Sequence, residues 1–207
     1  MPIETWLAFT AAATVLLVIP GPTILLVVSY ALGQGWRAAL PTAVGVALGD
    51  FTAMSLSMLG IGALLAASAT LFTVLKFAGA AYLIWLGVKL WRAGGTLEAS
   101  PITDRATLAR MVGHAWIVTA LNPKSITFFV AFLPQFVSPE GDVRRQMLIF
   151  GATFLTLAFA NALGYGLVAS RARRLVRDRR AVARLNRAGG SLLIGAGVVT
   201  AAARHGA

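Results

Sequence analysis

VIPGPTILL, residues 18–26, sets Pro20, Gly21 and Pro22 in the middle of a run that holds no charge between Glu4 and Arg37. Proline lacks a backbone N–H and collides with the carbonyl four residues earlier, at about 3 kcal/mol in a helix interior. Two prolines this close divide an otherwise helical run into two half-helices.

The medium of that run follows from the rest of the chain. Of 207 residues, 58% are hydrophobic and 12% are charged, whereas soluble domains carry about 25% charged residues. About 20 apolar residues in helix cross a hydrocarbon core of roughly 30 Å. Such windows recur. Residues 147–170 and 188–203 carry no charge, residues 40–62 are interrupted only by Asp50, 69–91 by Lys76 and Lys89, and 113–136 by Lys124. The pattern predicts an all-α, polytopic membrane protein of about six transmembrane helices forming one transmembrane domain over 1–207. The first window lacks the positive n-region of a secretory signal, since no Lys or Arg precedes Arg37, so it reads as a retained span. With no cysteine and only His114 and His205, thiol redox chemistry is excluded and no metal or cofactor is expected.

Six spans place the first, third and fifth loops on one side. These hold thirteen cations: Arg37, then Lys89, Arg92, Arg105 and Arg110, then the eight arginines of RARRLVRDRRAVARLNR, residues 171–187. The other side holds four, Lys76, Arg144, Arg145 and Arg204. The positive-inside rule therefore puts the first set in the cytoplasm and both termini, with the loop around Pro139, outside. The arginine-rich loop has no interleaved aromatics on which bases could stack, so nucleic acid is not expected as a partner. The net charge of +11 reads as an orientation signal.

The two halves resemble each other. KFAGAAYLIWLG from Lys76 aligns with NRAGGSLLIGAG from Asn186, with Ala78/Ala188, Gly79/Gly189, Leu83/Leu193, Ile84/Ile194 and Gly87/Gly197 coinciding. GPTILL from Gly21 aligns with NPKSIT from Asn122, so each half carries a proline in the middle of its first span. Three spans per half make an inverted repeat, repeat 1 over about 1–95 and repeat 2 over about 113–207, joined by a cytoplasmic loop near 92–112. Inverted-repeat transporters bind substrate near the midplane, where broken helices offer half-helix N-termini to anionic groups. Pro20, Gly21, Pro22 and Thr23 in one half, and Asn122 and Pro123 in the other, are thus the candidate substrate-binding residues.

Asp50 and Lys124 each lie about ten residues into a span, roughly 15 Å deep. A charge there costs about 2.5–3.5 kcal/mol on insertion scales and faces an interior cavity or a partner. Opposite signs at equal depth predict an ion pair in which Asp50 carries a proton and Lys124 sets its proton affinity. Lys76, nearer the outer surface, is a further candidate that could equally snorkel outward. Asn161 either contacts substrate or bonds helices together. GVALG, residues 45–49, forms a GxxxG face that brings Asp50 beside a neighbouring helix. GYG at 164–166 lacks the pore-loop context of a potassium filter.

PGP at 20–22, GVALGD at 45–50, LKFAGAAYLIWLGVKLWR at 75–92 and LNPKSITFFVAFLPQFV at 121–137 together resemble the LysE/RhtB-type family of bacterial amino-acid exporters over nearly the whole chain. The resemblance implies a multi-pass protein of the bacterial cytoplasmic (inner) membrane. It also implies export of small neutral amino acids, such as threonine, homoserine or a branched-chain residue, driven by the proton gradient. Members often have Asn after PGP where this chain has Thr23, and some are described with five spans, a difference that would fall in the short segment 188–203. The expected partners are an amino acid, protons and the lipid bilayer, with a homo-oligomer left open. An ion channel and an exporter of another small metabolite are the alternatives. An intramembrane hydrolase is not supported, for the chain has neither HExxH nor GxSxG.

Overall fold

The computed structural model describes residues 1–67, 69–92, 101–102, 105–138, 140–171 and, further on, 180, 183, 184, 187, 188, 190, 191, 194, 195 and 198. At 61–67, 69–73, 75, 76, 79, 83, 86, 87 and 90 it describes the backbone alone. The side chain of Lys76, Pro139, most of the arginine-rich stretch and most of the last expected span lie outside this set. All regular structure among the described residues is helical. α1 spans Ile3–Val18, α2 Pro22–Gln34, α3 Ala39–Ala67, α4 Ala69–Arg92, α5 Leu108–Ala120, α6 Pro123–Thr127 and α7 Val143–Arg171.

The first apolar run is cut where the prolines cut it. Ile19, preceding Pro20, is extended at φ −70°, ψ 118°, as the residue before a proline prefers. Pro22 then opens α2 at its first position, where its fixed φ suits a helix and its missing N–H costs nothing. Gly35 stops α2 with φ 77°, a left-handed angle open to glycine without penalty. A 3₁₀ turn, Gly35–Ala38, then leads into α3. The second half repeats the device. Thr107 caps α5, its hydroxyl accepting from the Arg110 N–H at 3.3 Å. α5 ends at Ala120, and α6 restarts with Asn122 as cap and Pro123 at its first position. After α6 the helix loosens into one π turn, Phe128–Phe132, where the Leu133 N–H reaches the Phe128 carbonyl. Pro134 then lacks the N–H to continue the ladder, and a 3₁₀ turn, Leu133–Phe136, ends the segment.

Contacts set the directions of the helices. Trp6 bonds Thr153, Asn161 bonds Leu17 and Tyr165 bonds Val18, and Gly166 abuts Val27, so α1 and α2 follow α7 in the same direction as one broken segment. Thr119 meets Thr23 and His114 meets Tyr30, so α5 runs antiparallel to α2. Gly45 lies against Val112 and Ala115, and Gly49 against Trp116 and Thr119, so α3 runs parallel to α5. The expected GxxxG face is formed, and its partner is α5. A Cβ on Gly49 would stand 2.5 Å from the Thr119 Cβ, closer than two carbon atoms can approach.

Pro22–Gly60, which turns back at Gly35–Ala38, and Val143–Arg171 hold helix long and apolar enough to cross a membrane, and Leu108–Ala120 with Pro123–Phe136, bent by 45°, makes a third such stretch. α3 exposes Leu40, Leu48, Phe51, Leu56 and Leu59, a surface suited to lipid rather than water. The interior toward the start of α1 is packed with phenylalanine. Phe9 stands 4.6 Å from Phe150 between ring centres, and Phe129 4.8 Å from Phe154, with Phe128, Phe132 and Phe136 completing the cluster.

Candidate functional site

The break at 19–21 leaves the carbonyls of Leu16, Leu17, Val18 and Ile19 without intrahelical donors, four groups that must find partners if buried. Val15 accepts from the Ile19 N–H. Side chains from the second half of the chain take the others. Lys124 Nζ donates to the Leu16 carbonyl at 2.9 Å and to that of Ile19 at 2.8 Å. Asn161 Nδ2 donates to Leu17 at 2.9 Å and the Tyr165 hydroxyl to Val18 at 2.7 Å. A cation placed on a helix C-terminus also meets the negative end of its dipole.

The opposite break is tied in the same way. Asn122 caps α6, its Oδ1 accepting from the Lys124 N–H at 3.1 Å. Its Nδ2 donates to Thr23 Oγ1 at 3.0 Å, to which the Thr119 hydroxyl also donates at 3.2 Å. At the start of α2, Gly21 provides no side-chain cap. The Lys124 stem passes Gly21, where an added Cβ would sit 3.4 Å from Nζ and 3.5 Å from Cε. The two breaks, distant in sequence, therefore meet in space.

Between them lies a cavity of about 20 Å³, lined by Thr23, Asp50, Asn122, Lys124, Ser125 and Asn161 among others. That volume accommodates about one water molecule, so an amino acid would enter only if the breaks moved apart. Of the expected residues, Thr23, Asn122, Asn161, Asp50 and Lys124 face this one cavity. Pro20, Gly21, Pro22 and Pro123 shape the backbone around it.

Asp50 and Lys124, the expected ion pair, lie near enough to feel each other's charge, but no direct contact joins them. Asp50 is 2% and Lys124 6% exposed, and both line the cavity, yet the ammonium is spent on Leu16 and Ile19. Among the described residues, Asp50 Oδ1 is left buried with no hydrogen-bond partner. The physical reason is the proline break, which offers two buried carbonyl acceptors within reach of Lys124. Asn161 is a bond between α7 and α1, one of the two roles expected for it. Tyr165, Thr119 and Ser125 belong to the site and escaped the sequence reading. Thr119 and Ser125, three residues either side of Asn122, carried a legible signal, a hydroxyl beside a helix break. Among the described residues no group of three or more His, Asp or Glu is placed to hold a metal ion.

Residues 14–204 match the family described as LysE type translocator. The chain is 36% identical over 204 residues to an uncharacterized membrane protein of Vibrio cholerae, covering 99% of this chain and all of the relative. It is 34% identical over 205 residues to a homoserine/homoserine lactone efflux protein of Salmonella typhimurium, again covering 99% of this chain and all of the relative. A leucine efflux protein of Klebsiella pneumoniae is 30% identical over 205 residues, 96% of this chain and 93% of that protein. No solved structure matches.

Proposed function

This chain belongs to the LysE type translocator family, and from that premise we propose that it exports small neutral amino acids, of the homoserine, threonine or branched-chain kind, in exchange for protons. The observation that carries the reading is the meeting of the two proline breaks at one buried cavity, where Thr23, Asp50, Asn122, Lys124 and Asn161 converge. Discontinuous helices at mid-depth are the usual substrate site of secondary transporters.

In this reading the start of α2, Thr23 with the N–H groups after Pro22, receives the substrate carboxylate, as helix N-termini receive anions. Asp50 carries the exchanged proton. The chain is a multi-pass protein of the bacterial cytoplasmic membrane with about six spans in two inverted halves and both termini outside. The antiparallel course of the two broken segments supports the inverted halves, and the cation distribution supports the orientation. Alternating access then amounts to the two breaks separating toward one side at a time.

Substrate chemistry follows from the names of the relatives. Homoserine carries a carboxylate and its lactone does not, whereas both carry a primary amine. A site for such compounds must hold the amine in every case. The test is flux by the purified chain in proteoliposomes with a panel of amino acids. Saturable efflux, accelerated by an opposing proton gradient and accompanied by proton movement, is the expected result. Ohmic conductance without saturation would identify a channel, and no flux of any amino acid would remove the exporter reading.

A further inference from the structure

We propose that Asp50 is the seat of the substrate's ammonium group, so that amine and proton occupy one carboxylate in turn and are coupled by competing for it. This deepens the exporter reading and rests on it. Among the described residues, Asp50 Oδ1 is the buried side-chain atom left without a hydrogen bond. Of the neighbouring polar groups, the Ser125 hydroxyl reaches Asp50 and the others are engaged. Lys124 is held by Leu16 and Ile19, Asn122 by Thr23 and its own cap, and Asn161 by Leu17. A buried carboxylate without a direct cation partner is costly until one neutralises it. A proton does so, and so does a primary ammonium, which also brings donors for the Oδ1 that is left unpaired beside Ser125.

The geometry also suits the rest of an amino acid. Thr23 and Ile24, at the start of α2, line the same cavity as Asp50, and the missing side-chain cap at Gly21 leaves that helix start able to take an anion. A zwitterion presents its ammonium and carboxylate two bonds apart. The site offers a carboxylate and a helix N-terminus across one small space. The cavity has room for a water-sized headgroup at Asp50, and the remainder of the molecule needs the breaks to part.

Other groups that could give a pH response are few. Lys124 comes from α6. On α5, His114 is turned to the Tyr30 hydroxyl at 3.1 Å, and on α7 Tyr165 is bonded to Val18. α1 and α2 supply only Leu17, Thr23 and Ile24 to the cavity, and α4 carries Lys76, whose side chain lies outside the described residues.

The experiment is substrate counterflow by the full chain in proteoliposomes without a pH gradient, using leucine or homoserine, whichever the wild type carries. One-site competition raises the apparent KM as pH falls, approaching about tenfold per pH unit, with Vmax unchanged. The slope survives in His114→Gln. Leucine outcompetes 4-methylpentanoate, and homoserine outcompetes 4-hydroxybutanoate, the same molecules without the amine, by about tenfold or more in the wild type. In Asp50→Asn that preference collapses. A KM independent of pH, or an undiminished preference for the amine in Asp50→Asn, would overturn the proposal while leaving the exporter reading intact. Should Asp50→Asn fail to fold, the wild-type pH series alone decides. Absence of counterflow with every amino acid in the wild type removes both readings.

Discussion

The Lys124 ammonium lies 2.8 Å from the carbonyl oxygen of Ile19, 105 residues away in the chain, and so one broken segment caps the other. A helix break in lipid is tolerated only where its backbone groups are satisfied from elsewhere. Here Lys124, Asn161 and Tyr165 do so together. What looks like a charge buried for chemistry is first a structural closure, and it separates the behaviour expected of Lys124 from that expected of Asp50.

Lys124→Met should be severely defective, because it removes donors from two buried carbonyls, at about 1–3 kcal/mol each, and takes the nearby positive charge away from the Asp50 carboxylate. Asp50→Asn alone should fold better than Lys124→Met, since no carbonyl loses its donor. The double variant Asp50→Asn/Lys124→Met removes the stranded charge but not the orphaned carbonyls. Its thermal stability in detergent should therefore fall between wild type and Lys124→Met, and it should lack proton-driven accumulation. Full wild-type accumulation in Asp50→Asn would end the proton-carrier reading.

Pro22→Ala should let α2 extend backward toward α1 and weaken transport more than membrane insertion, because alanine imposes neither the fixed φ nor the missing N–H that hold the break open. Flux per inserted molecule is the measurement. An unchanged rate and KM would show that the start of α2 is not the substrate site.

Gly49→Leu should destabilise the fold, because a Cβ there would stand 2.5 Å from the Thr119 Cβ and 2.7 Å from the Trp116 carbonyl oxygen. Overpacking of this kind costs about 1–3 kcal/mol or more. Gly60→Ala, where nothing among the described residues lies within 4 Å of the added carbon, is the control and should leave the melting temperature within about a degree or two of wild type. Equal effects at the two positions would mean that α3 and α5 do not pack along the glycine face.

Reporter fusions should place the C-terminus outside and the segment around Arg177 in the cytoplasm, as thirteen cations against four require. A cytoplasmic C-terminus would sink the six-span arrangement and point to a last segment that does not cross.

What the sequence determined by itself is everything that depends on local chemistry. Apolar length predicted helices for a membrane, and the prolines at 20, 22 and 123 marked the breaks to the residue, because a missing N–H acts on its own turn whatever surrounds it. The glycines at 45 and 49 marked a close face, since only an absent side chain lets backbones approach. Asp50 and Lys124 were legible as buried charges because charge in lipid is costly wherever it falls. Their partners were not legible. Whether Lys124 meets Asp50 or the end of α1 depends on which acceptors the tertiary fold brings within reach of a long flexible stem. Tyr165 and Asn161 cap α1 only because α1 and α7 run side by side in the same direction, a relation between segments more than 140 residues apart. Those distances are fixed by packing, and no local pattern encodes them.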